Sequence, residues 1–338
     1  MNQLHSLKID IACHILPPKY KEAIYKLDTF GSRERARIDS VPTLFDLDLR
    51  LRLLDKFEGL MQVLTVNTSS VESLAHSQKA LDLARLANDE LAELIFRHPD
   101  RFAAAVACLP ISNMDDALKE ADRAINELRF RGVQLSTPIN GKPLDSPEFF
   151  PLYEKLSRHN LPIWIHPARP ASFADYMSES RSTHNIYSIF GWPYETTVAM
   201  VRLAYSGVFD KYPNLQFITH HGGGMVPYFA ERIAGIYDLE EMRRKEDFKR
   251  KLTRAPLDYL KMFYSDTAIY GNAPALMCAQ AFFGSERLLF GTDFPYDNQL
   301  GERYTRETIN AIQQMSILET DKKKIFVDNA RKLLRLPI

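Results

Sequence analysis

Polar side chains that could do chemistry close four apolar runs of this 338-residue chain. His14 follows LKIDIAC, His166 follows LPIWI, His220 and His221 follow LQFIT, and Asp293 follows LLFGT. Imidazole is the commonest metal ligand, and a carboxylate completes a site for a divalent ion such as zinc. An imidazole leaving an apolar strand also needs a partner, and a metal is one. Singly, each histidine also reads as a hydrogen-bonded core or surface residue, and Asp293 as a helix cap. Their shared position at the ends of apolar runs points to one site.

The segment FITHHGGGMVPYFAERI carries the most signal. Its contiguous glycines let backbone approach a ligand, and the helix expected after them offers free N–H groups. They lack the spacing of a dinucleotide fingerprint. Side chains alternate along a strand, so one of His220 and His221 is expected to face the site and the other away, with His221 preferred because it abuts the glycines. Arg232 could hold a substrate carboxylate bidentately, or pair with Glu231 or Asp238. Asp266, in FYSDTAIYG, could orient a histidine or form a turn. Period two places Asp10, Ala12 and His14 on one face of the first strand, which makes Asp10 a possible further ligand or a buried strand-to-strand acceptor. Cys13 faces the core.

Eight short strands would position these groups: Leu7–Cys13, Leu60–Val66, Phe102–Leu109, Gly132–Ser136, Leu161–Ile165, Leu215–Thr219, Met262–Ser265 and Leu288–Gly291. Several are apolar throughout, as in strands buried on both faces. Between them apolar residues recur at helical spacing, as at Leu83, Leu86, Ala87, Leu91, Leu94 and Ile95, and over Asp115–Leu128. The alternation predicts an α/β chain forming a single (β/α)₈ TIM barrel over residues 1–338, with an open doubly wound sheet as the other arrangement. Such a barrel takes about 250 residues, so the surplus is assigned to Pro17–Phe45, Pro167–Trp192, Tyr237–Lys261 and an extra C-terminal helix, Asp321–Leu336. In this fold functional residues gather at the strands' C-terminal ends, where the histidines and Asp293 fall.

Composition excludes several classes. The 43 basic and 43 acidic residues cancel, which argues against a nucleic-acid partner. Three distant cysteines form no disulfide framework, which predicts a cytoplasmic protein. MNQLHSLKID lacks the layout of a signal peptide, and no apolar run approaches a membrane span.

The segments IDIACHILP, LPIWIHP, GWPYETTVAM, SGVFDKYPNLQFITHHGGGMVPYFAERI and LLFGTDFPYD occur in an order that resembles the decarboxylase-type branch of the amidohydrolase superfamily. The resemblance implies a metal-dependent barrel with His14, His166 and Asp293 as ligands, His221 as catalytic histidine, Arg232 as carboxylate-binding arginine, and a homodimer. Two positions depart from the pattern. The first strand of such enzymes supplies two ligands, whereas here Ala12 offers no donor; and Val41 stands where the aminocarboxymuconate enzymes carry an arginine for substrate. The resulting expectation is non-oxidative decarboxylation of an unsaturated or aromatic carboxylic acid. It uses one divalent metal, zinc or manganese, with His221 and Asp293 moving the proton. The alternatives are hydrolysis of a lactone or ring-cleavage product in the same site, and a non-catalytic relative without its metal.

Overall fold

The computed structural model describes residues 7–66, 71–244 and 252–338. Eight apolar segments form parallel strands: β1 (Lys8–Ile15), β2 (Leu60–Val66), β3 (Phe102–Ala105), β4 (Val133–Thr137), β5 (Ile163–Pro167), β6 (Phe217–Thr219), β7 (Tyr264–Asp266) and β8 (Leu288–Leu289). They hydrogen-bond in chain order, β1 to β3 and β4 to β8. Single parallel bridges span the two seams. Ala107 pairs with Val133, and Cys13 pairs with Phe294. Backbone bonds from Ala107 N to Gly132 O and from Ile11 N to Phe290 O, each 2.9 Å, reinforce them. The order and direction are those of the expected α/β barrel.

Helices alternate with the strands. Ser77–Arg97 and Met114–Asn126 cover the two helical patterns read from the sequence, and the second starts where the Asn113 side chain accepts from Asp115 N and Asp116 N. The surplus residues fall largely as anticipated. Helices Pro18–Tyr25 and Ser32–Asp39 follow β1. Of Tyr237–Lys261, the first part continues the helix Val226–Arg244, and residues 245–251 lie outside the described residues.

Two apolar layers result. Ile163 and Ile165 pack outward against helices, while Trp164 points into the barrel with Ile9, Ile11, Val63, Ile218 and Leu289. The Trp164 indole donates to Ile11 O at 3.1 Å. Val327, Ala330, Leu333 and Leu334 of the C-terminal helical segment join this inner cluster. Asn329 ties the segment to Leu288 O at 2.8 Å, at the start of β8. The extra C-terminal helix thus stoppers the end of the barrel opposite the strand termini that carry the histidines.

β1 corrects one expectation. Asp10 pairs with Gln62 but Cys13 with Leu64, so three steps on β1 match two on β2. This one-residue bulge inverts the alternation. Ile9 and Ile11 face inward before it, and Ala12 after it. Asp10 therefore does not share the face of His14. Its carboxylate accepts from Ala12 N, Thr292 N and the Thr292 hydroxyl, clamping β1 to the end of β8. Burial pushes its pKa up to about 6 against these opposing bonds. A carboxyl whose folded pKa lies above its unfolded value stabilises most below the unfolded value and loses that contribution as pH rises through the folded one. Between about pH 4 and 7 the loss is roughly 3 kcal/mol, from about two pKa units at 1.36 each. Asp10→Asn should flatten this part of the stability profile measured by denaturant titration. Parallel profiles for the variant and wild type would refute it.

Candidate active site

The strand ends converge. His14 lies near the end of β1, His166 belongs to β5, and His220, His221 and Asp293 lie just beyond β6 and β8. The rings of His14 and His166 are 5.0 Å apart, those of His166 and His220 5.0 Å, and those of His14 and His220 6.2 Å. His14 Nε2 lies 3.1 Å from Asp293 Oδ1, and His221 Nε2 lies 3.7 Å from Asp293 Oδ2. His14, His220, His221 and Asp293 are all buried.

Both neighbouring histidines reach this cluster, where alternation had put one away. β6 ends at Thr219, and His221 adopts a φ of 59°, so the strand's period no longer applies beyond it. Asp293 takes a φ of 61°. Positive φ is sparsely populated for non-glycine residues and is held by the surrounding structure at functional positions. The glycines shape this turn. Gly222, Gly223 and Gly224 all have positive φ, and a Cβ on Gly224 would meet Pro193 O at 2.6 Å. Two N–H groups within this turn are used: Gly222 N donates to Asp266 and Met225 N to Thr197.

Two of the imidazoles carry their proton on Nδ1 and leave Nε2 bare. His166 Nδ1 lies 2.8 Å from Pro167 O, which can only accept, so Nδ1 carries the proton and Nε2 the lone pair. His220 Nδ1 donates to Asp266 Oδ2 at 2.9 Å, and its buried Nε2 has no hydrogen-bond partner. The Thr65 hydroxyl donates to Cys13 O and lies 3.0 Å from His14 Nδ1, while His14 Nε2 faces Asp293 Oδ1 at 3.1 Å. Burial lowers the pKa of His14, and lowers that of His166 strongly with His220 adding to the effect, so both remain neutral. Burial would raise Asp293, but its bonds to His14 and His221 outweigh this and hold it ionised. Burial likewise opposes the charge on His221, while Asp293 and Asp266 reverse the balance and raise its pKa.

The bare Nε2 atoms of His166 and His220, the His14 imidazole and the Asp293 carboxylate gather in one buried pocket. Among the described residues, no three such side chains already stand around one point at ligand distance, so closing on an ion requires side-chain shifts. The donor chemistry fits a divalent metal. Ala12, buried beside Gly291 and Asp266, contributes nothing to it.

A cavity of about 530 Å³ opens over His166 and Asp293, lined also by Arg37, Arg169, Trp192 and Tyr296. Arg232 does not line it; it is exposed on the helix Val226–Arg244. A helix's local sequence shows that an arginine is present but not which way its face turns. Sequence reasoning missed Thr65, the partner of His14 across β1 and β2, and Tyr270, whose hydroxyl donates to Asp293 Oδ2 at 3.0 Å. Neither has a local signal, because each acts through a residue distant in the chain.

The amidohydrolase family matches residues 9–336. This chain belongs to it. This amidohydrolase is 30% identical, over 98% of its length and 92% of the relative's, to 2-amino-3-carboxymuconate-6-semialdehyde decarboxylase of Dictyostelium discoideum. It is 32% identical to γ-resorcylate decarboxylase of a Rhizobium species, covering 86% of this chain and 87% of the relative. In three dimensions it resembles 5-carboxyvanillate decarboxylase of Novosphingobium aromaticivorans, with a TM-score of 0.84 and 26% identity over 99% of this chain and 97% of that one. That structure holds manganese and 4-hydroxy-3-methoxy-5-nitrobenzoic acid.

Proposed function

We propose that this amidohydrolase is a metal-dependent, non-oxidative decarboxylase of an unsaturated or aromatic carboxylic acid. The bare Nε2 atoms of His166 and His220 beside His14 and the Asp293 carboxylate carry the metal part of this reading, and the decarboxylases among its relatives give the direction of the chemistry. His14, His166 and Asp293 would hold the ion, and His220 supplies an imidazole where Ala12 has none. Bound there, a divalent ion supplies a Lewis acid that polarises a substrate oxygen. Manganese, as in the carboxyvanillate enzyme, is the first ion to test, with zinc beside it.

The residues of the chain do the rest. His221, whose proton Asp293 and Asp266 favour, delivers it to the substrate carbon bearing the carboxylate. The bond to the carboxyl carbon then breaks, its electron pair returns to the conjugated system, and carbon dioxide leaves. Asp293 holds the imidazole in place, and Trp192, stacked 6.3 Å from the His221 ring, covers it. Metal-reconstituted protein mixed with dihydroxybenzoates, carboxyvanillate and muconate acids should release carbon dioxide from at least one. Hydrolysis of a lactone with no release from any of them would replace this reading.

We also infer a single-domain, cytoplasmic homodimer. The three free cysteines are consistent with a reducing compartment, and no described helix is long and apolar enough to cross a membrane. A second copy is the cover expected for Tyr176, Phe190 and Tyr194, exposed together along one groove. Sedimentation should give a mass near twice 38.9 kDa; a monomer at micromolar concentration would exclude the dimer.

A further inference from the structure

Tyr270 takes a backbone conformation that its side chain disfavours. It lies between β7 and the helix Ala273–Phe283, and 43% of its surface is exposed, so burial in the core does not explain it. Its φ is 55°. Positive φ is rare for a bulky residue, and such strain persists where the surroundings impose it, most often at functional sites. Two contacts impose it here. The Tyr270 ring lies 4.2 Å from the Tyr304 ring on the helix Glu302–Gln314. Gly271 runs so close to the same helix that a Cβ there would meet Glu307 Cβ at 2.7 Å. Beyond it, the Asn272 side chain accepts from Ala275 N at 3.2 Å and caps the following helix.

This held loop aims the Tyr270 hydroxyl at Asp293, to whose Oδ2 it donates at 3.0 Å. Asp293 serves neighbours on both of its oxygens. Oδ1 faces His14 Nε2 at 3.1 Å, and Oδ2 faces His221 Nε2 at 3.7 Å. The terminal torsion of an aspartate is broad, so the backbone at position 293 leaves the plane of the carboxylate open. His14 holds one oxygen, but a plane needs a second point. At 3.7 Å His221 is too far away to supply it firmly. The phenol supplies it, through a charge-assisted hydrogen bond about twice as strong as one between neutral groups.

We propose that Tyr270 is a positioning residue for the metal centre. Its hydroxyl fixes the plane of the Asp293 carboxylate, so that one oxygen stays turned toward the imidazoles and the other toward His221. The inference rests on the metal-dependent reading of the site and adds to it a residue that lies outside the cavity and touches neither substrate nor ion.

The test is manganese binding, titrated by calorimetry into protein stripped of metal. Tyr270→Phe keeps the ring and its stack on Tyr304 and loses only the hydroxyl. Its affinity for manganese should fall about 10- to 100-fold, the range for losing a group that orients a metal ligand. Tyr270→Gly accepts the local φ without strain, should show the same fall, and opens a slot beside Tyr304. Phenol at millimolar concentration should then restore affinity, whereas toluene, of the same shape but without a donor, should not. Tyr270→Phe affinity within about twofold of wild type, below the range for an orienting residue, overturns the proposal. Equal recovery with phenol and with toluene overturns it too, because the ring rather than its hydroxyl would then matter. Wild type that takes up neither manganese nor zinc would remove the metal-dependent reading and this inference with it. Wild type that binds manganese, shows the Tyr270→Phe deficit and releases no carbon dioxide would sink only the decarboxylase reading.

Discussion

Asp293→Asn should lose its metal and nearly all its activity. Metal affinity should fall more than about a hundredfold, beyond the 10–100-fold typical when only a supporting residue is changed. kcat/KM should fall about 10⁴-fold, near 5.5 kcal/mol at 1.36 per tenfold. Asparagine suits this test because the φ of 61° at position 293 is one that Asn tolerates, so the backbone should hold while the charge goes. Without the carboxylate charge, the imidazoles of His14, His166 and His220 have no anionic partner with which to hold a divalent ion. His220→Ala in the same metal titration should lower affinity less, because it removes one neutral donor and leaves the charge. Metal content by elemental analysis and carbon dioxide release are the readouts. A variant with normal metal content and a rate within tenfold of wild type would remove Asp293 from the site.

His221→Asn should separate metal from proton. The surroundings of its imidazole favour the protonated form, and Asp293 lies 3.7 Å from its Nε2. Loss of a positioned acid and base costs about 10²- to 10⁴-fold, so kcat should fall by that amount while metal content stays near wild type. Asparagine again accepts the local φ of 59°. KM should move little, since His221 acts in the proton step more than in holding substrate. Metal loss in parallel with the rate would make His221 a ligand and leave the proton without a source.

The distinction between these two residues was only partly legible in the sequence. Apolar runs ending in His14, His166 and Asp293 showed which positions could meet, because parallel strands of one barrel deliver their C-terminal ends to one face. The doublet His220–His221 could not be resolved by alternation. The strand ends before the doublet, and the glycines that follow turn both rings inward. Asp10 was misplaced for a related reason: nothing in KIDIACHI marks the bulge that register with β2 imposes.

The sequence by itself determined the eight-strand alternation and the strand-end donors, because these follow from side-chain type and from periods set by local backbone sterics. Tertiary structure decided the rest. It gave His220 a bare Nε2 by pairing its other nitrogen with Asp266, exposed Arg232 to solvent, and set Arg37 beside Tyr296 in the cavity. Each of these depends on how a helix or loop packs against chain far away in sequence, and such packing energies are summed over the whole barrel rather than written in any one segment.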